Sequence, residues 1–365
     1  MRITTRQSNR LVGSATVAAV VTITTAVIAA SSLNGRRQPD SFQPPARLSD
    51  TGLYVRALDG TLEVDPRNRP YSPQYPLWSD GAGKSRWVHL PEGAAIDVTN
   101  LDAWDFPVGT KFWKEFAFKG HKVETRFLWK ASEEGWVFAS YAWNDEQTDA
   151  MLVPEEGLPD VFEVARGTRH SIPSVSDCRA CHDSARTEIL GFNTLQLSDD
   201  RDPNAPHAEP LQPGMVTLRT LVEEGVLRPG REDLVKNPPR IAGDAVTRSA
   251  IGYLSANCGH CHNREGSLAS VGLFLKHSSA AKRWQEETVA ESAVGHASSW
   301  QIPGAPEGTS YRISPGAPDL SAVLHRMRSR RPSSQMPPLG TVIADQEGIE
   351  TIERWVRELR EKSKT

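Results

Sequence analysis

Two short stretches of this chain carry residues that can do covalent and metal chemistry: Cys178-Arg179-Ala180-Cys181-His182 and Cys258-Gly259-His260-Cys261-His262. Between them they hold all four cysteines. Three chemistries use cysteines in this way. Disulfides are the ordinary use of an even cysteine count in an exported chain. A zinc ion between two CxxC knuckles is the second, but 76 residues separate the pairs, against a usual gap of ~15–20. Neither chemistry needs a histidine after each pair. Covalent haem attachment does. Each cysteine adds to one vinyl group, and a separation of three positions puts both sulfurs on one side of a helical turn. The histidine that follows is then carried beneath the iron. Two covalently bound haem c groups are therefore expected, anchored by Cys178, Cys181, Cys258 and Cys261, with His182 and His262 as axial ligands.

Each iron also needs a sixth ligand or an open site. For the second motif, Gln335-Met336-Pro337-Pro338-Leu339-Gly340 holds Met336 in a proline-framed loop, and its thioether would favour ferrous iron and raise the potential. Met327 lies on an expected helix from Asp319 to Ser329 and is assigned to packing. The first haem is less legible. Met215 ranks first as its distal ligand, His207 second, and His170 or an open site remain alternatives.

The elements that must position these groups leave traces in the pattern. Val246, Ala250, Ile251 and Leu254 recur at helical spacing just before the second motif. Asp345 can cap a closing helix that buries Ile349, Ile352, Trp355, Val356 and Leu359. Seven of the ten tryptophans fall between Trp78 and Trp143. There, Lys111–Phe118, Lys122–Lys130 and Trp136–Trp143 read as strands joined by hairpin turns. An antiparallel sandwich is expected, with the tryptophans in its core rather than on a carbohydrate platform.

Composition sets limits. Lys and Arg number 42 against 45 acids, for a net charge of -3, which gives no basic face for nucleic acid. Mean hydropathy is -0.45, and one stretch alone could enter a bilayer. Arg2, Arg6 and Arg10 precede the charge-free run Leu11 to Ala30, followed by small residues. This reads as a signal peptide; left uncleaved, it would be a membrane tether. Either way the body works outside the cytoplasm, in the periplasm or at the outer cell surface.

The chain from about 50 to 365 resembles a family of exported bacterial di-haem c-type cytochromes. The carrying residues are Tyr75-Pro76-Leu77-Trp78-Ser79-Asp80 with Lys84 and Arg86-Trp87, then Glu124-Thr125-Arg126 and Asn144-Asp145-Glu146-Gln147-Thr148-Asp149-Ala150. The two haem motifs follow, then Ser314-Pro315-Gly316, Arg326-Met327 and Gln335-Met336-Pro337. The resemblance implies haem binding and single-electron transfer to a redox partner that it does not name. The expected fold is multidomain α+β. A signal peptide or anchor (1–30) and linker (31–49) lead to a tryptophan-rich β domain (50–165), then two mainly α cytochrome c-like domains (166–243 and 244–365). Two other functions stay open. One is a peroxidase-like di-haem enzyme with an open first iron, against which the 80-residue step from Cys178 to Cys258 weighs. The other makes the β domain a binding module.

Overall fold

Phe112 and Trp113 are neighbours in one strand and go to opposite faces of a sheet, as the period-two geometry of a strand requires. That sheet has six strands, all antiparallel to their neighbours, in the order Arg69–Pro70, Gly83–His89, Lys111–Phe118, His121–Ser132, Gly135–Trp143 and Ala150–Leu152. The computed structural model describes residues 42–362. The expected export segment at 1–30 and most of the linker at 31–49 lie outside the described residues.

Both faces of the sheet are covered, although not by a second large sheet. On one face Trp113, Phe127 and Tyr141 pack with Leu48, Leu53 and Tyr54 from the preceding segment. On the other, Phe112, Trp136 and Phe138 pack with Phe106, Phe192, Leu197, Leu218 and Leu221, so chain well beyond residue 165 completes this core. A third core joins Tyr75 to the helices Ala245–Asn257 and Gln346–Lys362 through Leu254, Ile352 and Trp355. Trp104, Trp113 and Trp136 are buried, and the other four tryptophans of this region are half-buried. None stands out as an exposed platform.

The expected fold class requires correction. Helix accounts for 22% of the described residues and strand for 23%, so the C-terminal half is not a pair of mainly α cytochrome-like domains. Three short helices, Val175–His182, Leu218–Glu223 and Glu232–Lys236, are all that lie between 173 and 244. Pro203, Pro206, Pro210 and Pro213 explain the rest, because each removes a backbone donor and disfavours helix at the residue before it. Between the second motif and the closing helix only Thr288–Ser292 and Ala322–Arg328 form α-helix. The long helical pattern expected on both sides of the second motif is real, but it was extended to regions that carry no such period.

Candidate functional site

The first motif sits on the helix Val175–His182, which begins with a capping box. Ser174 Oγ accepts from the Asp177 amide at 3.0 Å, and the Asp177 carboxylate accepts from the Ser174 amide at 3.1 Å. The helix lies against the sheet, with the His182 ring 5.3 Å from that of Phe138. The Nδ1 of His182 is hydrogen-bonded to the Glu188 carbonyl. A carbonyl can only accept, so Nδ1 carries the proton and Nε2 keeps its lone pair. Burial, reinforced by nearby His260, Lys114 and Arg126, pushes the His182 pKa down to about 3. The imidazole is thus a neutral donor held in one tautomer, the form a metal ligand needs.

The second motif follows the helix Ala245–Asn257, whose N-terminus Asp244 caps by accepting from the Thr247 amide at 2.8 Å. The turn continues through the motif, with the Cys258 carbonyl accepting from the His262 amide at 2.9 Å. The His262 pKa is lowered, chiefly by burial, and its Nδ1 makes no hydrogen bond of proper geometry. Burial also raises the pKa of the Cys178 thiol to about 11 and of Cys258 to about 12, so both stay protonated.

The second motif opens onto one cavity, and His182 of the first motif onto another. The second cavity holds about 1240 Å³ of empty space, part of it open to solvent. Cys258, Cys261, His262, Met327 and Met336 all line it, so the structure brings Met336 together with the second motif. Its arginines are largely occupied by backbone carbonyls: Arg312 donates to Ser292, and Arg330 to Met327 and Met336. The first cavity, of about 1190 Å³, is walled by the sheet and lined by His182, Tyr71, Tyr75, Phe112, Arg86, Lys114 and Arg126. Lys114 is held well below an ordinary lysine pKa, first by burial and then by Arg86, Lys84 and Arg126.

None of the three expected candidates for the first distal position lines that cavity. Met215 is half-buried and its sulfur accepts from the Gln212 amide at 3.4 Å. His207 is bound at 2.8 Å to Asp345 and 3.2 Å to Glu347, with its ring over Trp78. His170 is buried between Asp80 at 3.3 Å and Glu124 at 3.0 Å. Burial opposes its protonation, but these two carboxylates outweigh burial and raise its pKa.

The sequence reading passed over His260. It is a spacer residue of the second motif, yet it is buried, lines both cavities, and has an Nδ1 with no partner. The sulfurs of Cys181 and Cys261 and a ring nitrogen of His260 all lie within 4.8 Å of one another. The two motifs, 76 residues apart in sequence, therefore meet at one point. Tyr75–Asp80 runs beside that point. Trp78 donates from Nε1 to the Ile343 carbonyl at 3.1 Å and from its amide to Asn257 at 2.7 Å, and Asp80 accepts from the Val342 and Ile343 amides. The segment ties the sheet to the loop after Met336.

A haem requires apolar walls, an imidazole with a free nitrogen, cysteines at the rim and cations for its carboxylates. The second cavity meets all four requirements; the first meets three, through its apolar residues, His182 and its cations, while Cys178 and Cys181 lie outside its lining. The buried guanidinium nitrogens Arg86 Nη2 in the first and Arg330 Nε in the second have no hydrogen-bond partner among the described residues. A six-stranded antiparallel sheet bearing two CxxCH cavities is thus the class of structure at hand. No family model, curated protein or solved structure matches the chain.

Proposed function

We propose that this protein is an exported di-haem c-type electron carrier, with one haem bound covalently in each cavity. The observation that carries the reading is the meeting of the motifs, with Cys181 and Cys261 within 4.8 Å of each other while His182 and His262 face different cavities. Bound haem iron supplies one-electron chemistry by alternating between ferric and ferrous states.

The chain's own residues do the rest. Cys178/Cys181 and Cys258/Cys261 anchor, and thioether formation adds each S–H across a vinyl double bond, consuming no oxidant. His182 and His262 supply a neutral imidazole nitrogen each. Met336 offers a thioether to the second site, whose wall includes the apolar side chains of Leu273, Leu275 and Val323. Because the two attachment rims adjoin at Cys181 and Cys261, electrons need cross little protein between the sites. Export rests on the Arg-flanked segment at 1–30. Among the described residues, no helix is long and apolar enough to cross a membrane.

Reversible reduction of the purified, haem-loaded protein, followed by absorption with and without carbon monoxide, tests this. Met336→Ala should make the second haem bind the gas where the parent does not. A variant that keeps a closed second iron would remove Met336 from the assignment. Rapid peroxide turnover at the first haem would favour the enzyme reading instead.

A second reading has its own observation. Cys181, His260 and Cys261 are close enough to hold a single zinc ion. Structural zinc takes four ligands, and this set supplies three. Iron and zinc content of the same sample separates the two readings.

A further inference from the structure

The first cavity carries a feature that iron ligation leaves unexplained. Across three adjacent strands, Arg86 stands opposite Lys114, and Lys114 opposite Arg126. All three line the cavity. Like charges placed directly opposite each other on a sheet face are destabilising, and burying them adds a desolvation cost. Folding alone gives no reason to build such a row.

The row is only partly neutralised. Arg86 Nη1 pairs with Glu209 at 2.9 Å, and Arg126 pairs with Glu124 through two hydrogen bonds of 2.7 and 3.1 Å. Lys114, at the centre, has neither a hydrogen bond nor an ion pair among the described residues; its ammonium lies 4.8 Å from the Phe116 ring centroid. Arg86 is 5% exposed, and its Nη2 has no acceptor. A fourth cation, Lys276, also lines the cavity, where Asp102 is the one carboxylate and already accepts from Ser279. The site therefore presents an unfilled guanidinium N–H and an unpaired ammonium to a cavity walled by apolar residues such as Phe112, Leu128 and Ile189 and by the neutral polar side chains of Asn193 and Gln196.

We propose that the Arg86–Lys114–Arg126 row is a built anion cradle, and that the two propionate carboxylates of the first haem are its ligand. The cradle rests on the di-haem reading and deepens it, because it names the residues that would hold the haem carboxylates. Positive charge beside the propionates also disfavours the extra positive charge of ferric iron, so the row raises the potential of the first haem.

The test is a potentiometric titration of the holoprotein, with the second haem as internal reference. Lys114→Gln and Arg86→Gln should each keep two haems per chain. Each should shift the first haem about tenfold toward its ferric form, which is about 59 mV for one electron, and leave the second unmoved. Lys114→Arg, which keeps the charge, should restore the parent potential. An unchanged first potential in both glutamine variants would overturn the cradle. So would a Lys114→Gln protein whose first haem turns high-spin and binds carbon monoxide, since Lys114 would then be an iron ligand. A parent protein that contains no haem at all would instead sink the functional reading on which the cradle rests.

Discussion

The two cavities receive the same five-residue motif and surround it with opposite materials. The second is built from helix and proline loop, offers a thioether, and largely turns its arginines onto backbone carbonyls. The first is built on a sheet face, has no sulfur among its lining residues, and keeps a row of cations turned inward. A covalent motif secures a cofactor, but the wall decides how it behaves. On the di-haem reading proposed above, the second site would suit a closed, six-coordinate iron, and the first would tune its cofactor by charge.

Removing one motif at a time breaks the comparison most severely. Cys178→Ala with Cys181→Ala should leave one haem in the second cavity, and Cys258→Ala with Cys261→Ala one haem in the first. Pyridine haemochrome content should fall by half in each. Loss of both haems from either variant would mean that the sites are not independent.

His170→Leu should be the most damaging change away from the iron sites, costing about 3–5 kcal/mol in denaturant unfolding, because it removes the partner shared by the buried carboxylates of Asp80 and Glu124. It also carries a pH signature. Arg126 and His170 overcome burial and hold Glu124 at about 2, against an ordinary 4.5. The stability this gives is fully present above the ordinary value and is lost as pH falls through about 2. Without His170, acid unfolding should begin at higher pH.

A smaller loss sharpens the link between the regions. A Cβ at Gly252 would run into the Tyr75 ring, which lines the first cavity from its place against the second motif's helix. Gly252→Ala should cost about 1–3 kcal/mol through overpacking and disturb both haem spectra. The smallest effect belongs to Met215→Leu. Away from both cavities, it should change stability by no more than about 0.5 kcal/mol and leave the spectra unmoved.

The parts of the molecule that were legible in sequence are those with a strong local period. The strand Lys111–Phe118 and the closing helix, with Ile349, Ile352, Trp355, Val356 and Leu359 all buried, fall where the pattern puts them. Met336 was visible because prolines frame it. The mainly α reading fails where Pro203 to Pro213 erase any period, and the sandwich fails because loops and short helices, not a second large sheet, cover the face that carries Phe112 and Phe138. The walls of the first cavity were illegible for a different reason. Arg86, Lys114 and Arg126 become neighbours only through cross-strand register, which no local pattern announces. His260 was hidden inside a motif whose spacer positions carry no required chemistry.

The central claim is that both motifs carry haem, one in each cavity. Intact mass of the exported, purified chain, read together with its iron and zinc content, tests it most directly. The account predicts a mass increased by two haems, two irons per chain and no zinc. A chain of unmodified mass carrying one zinc would contradict it and assign Cys181, His260 and Cys261 to a single metal ion.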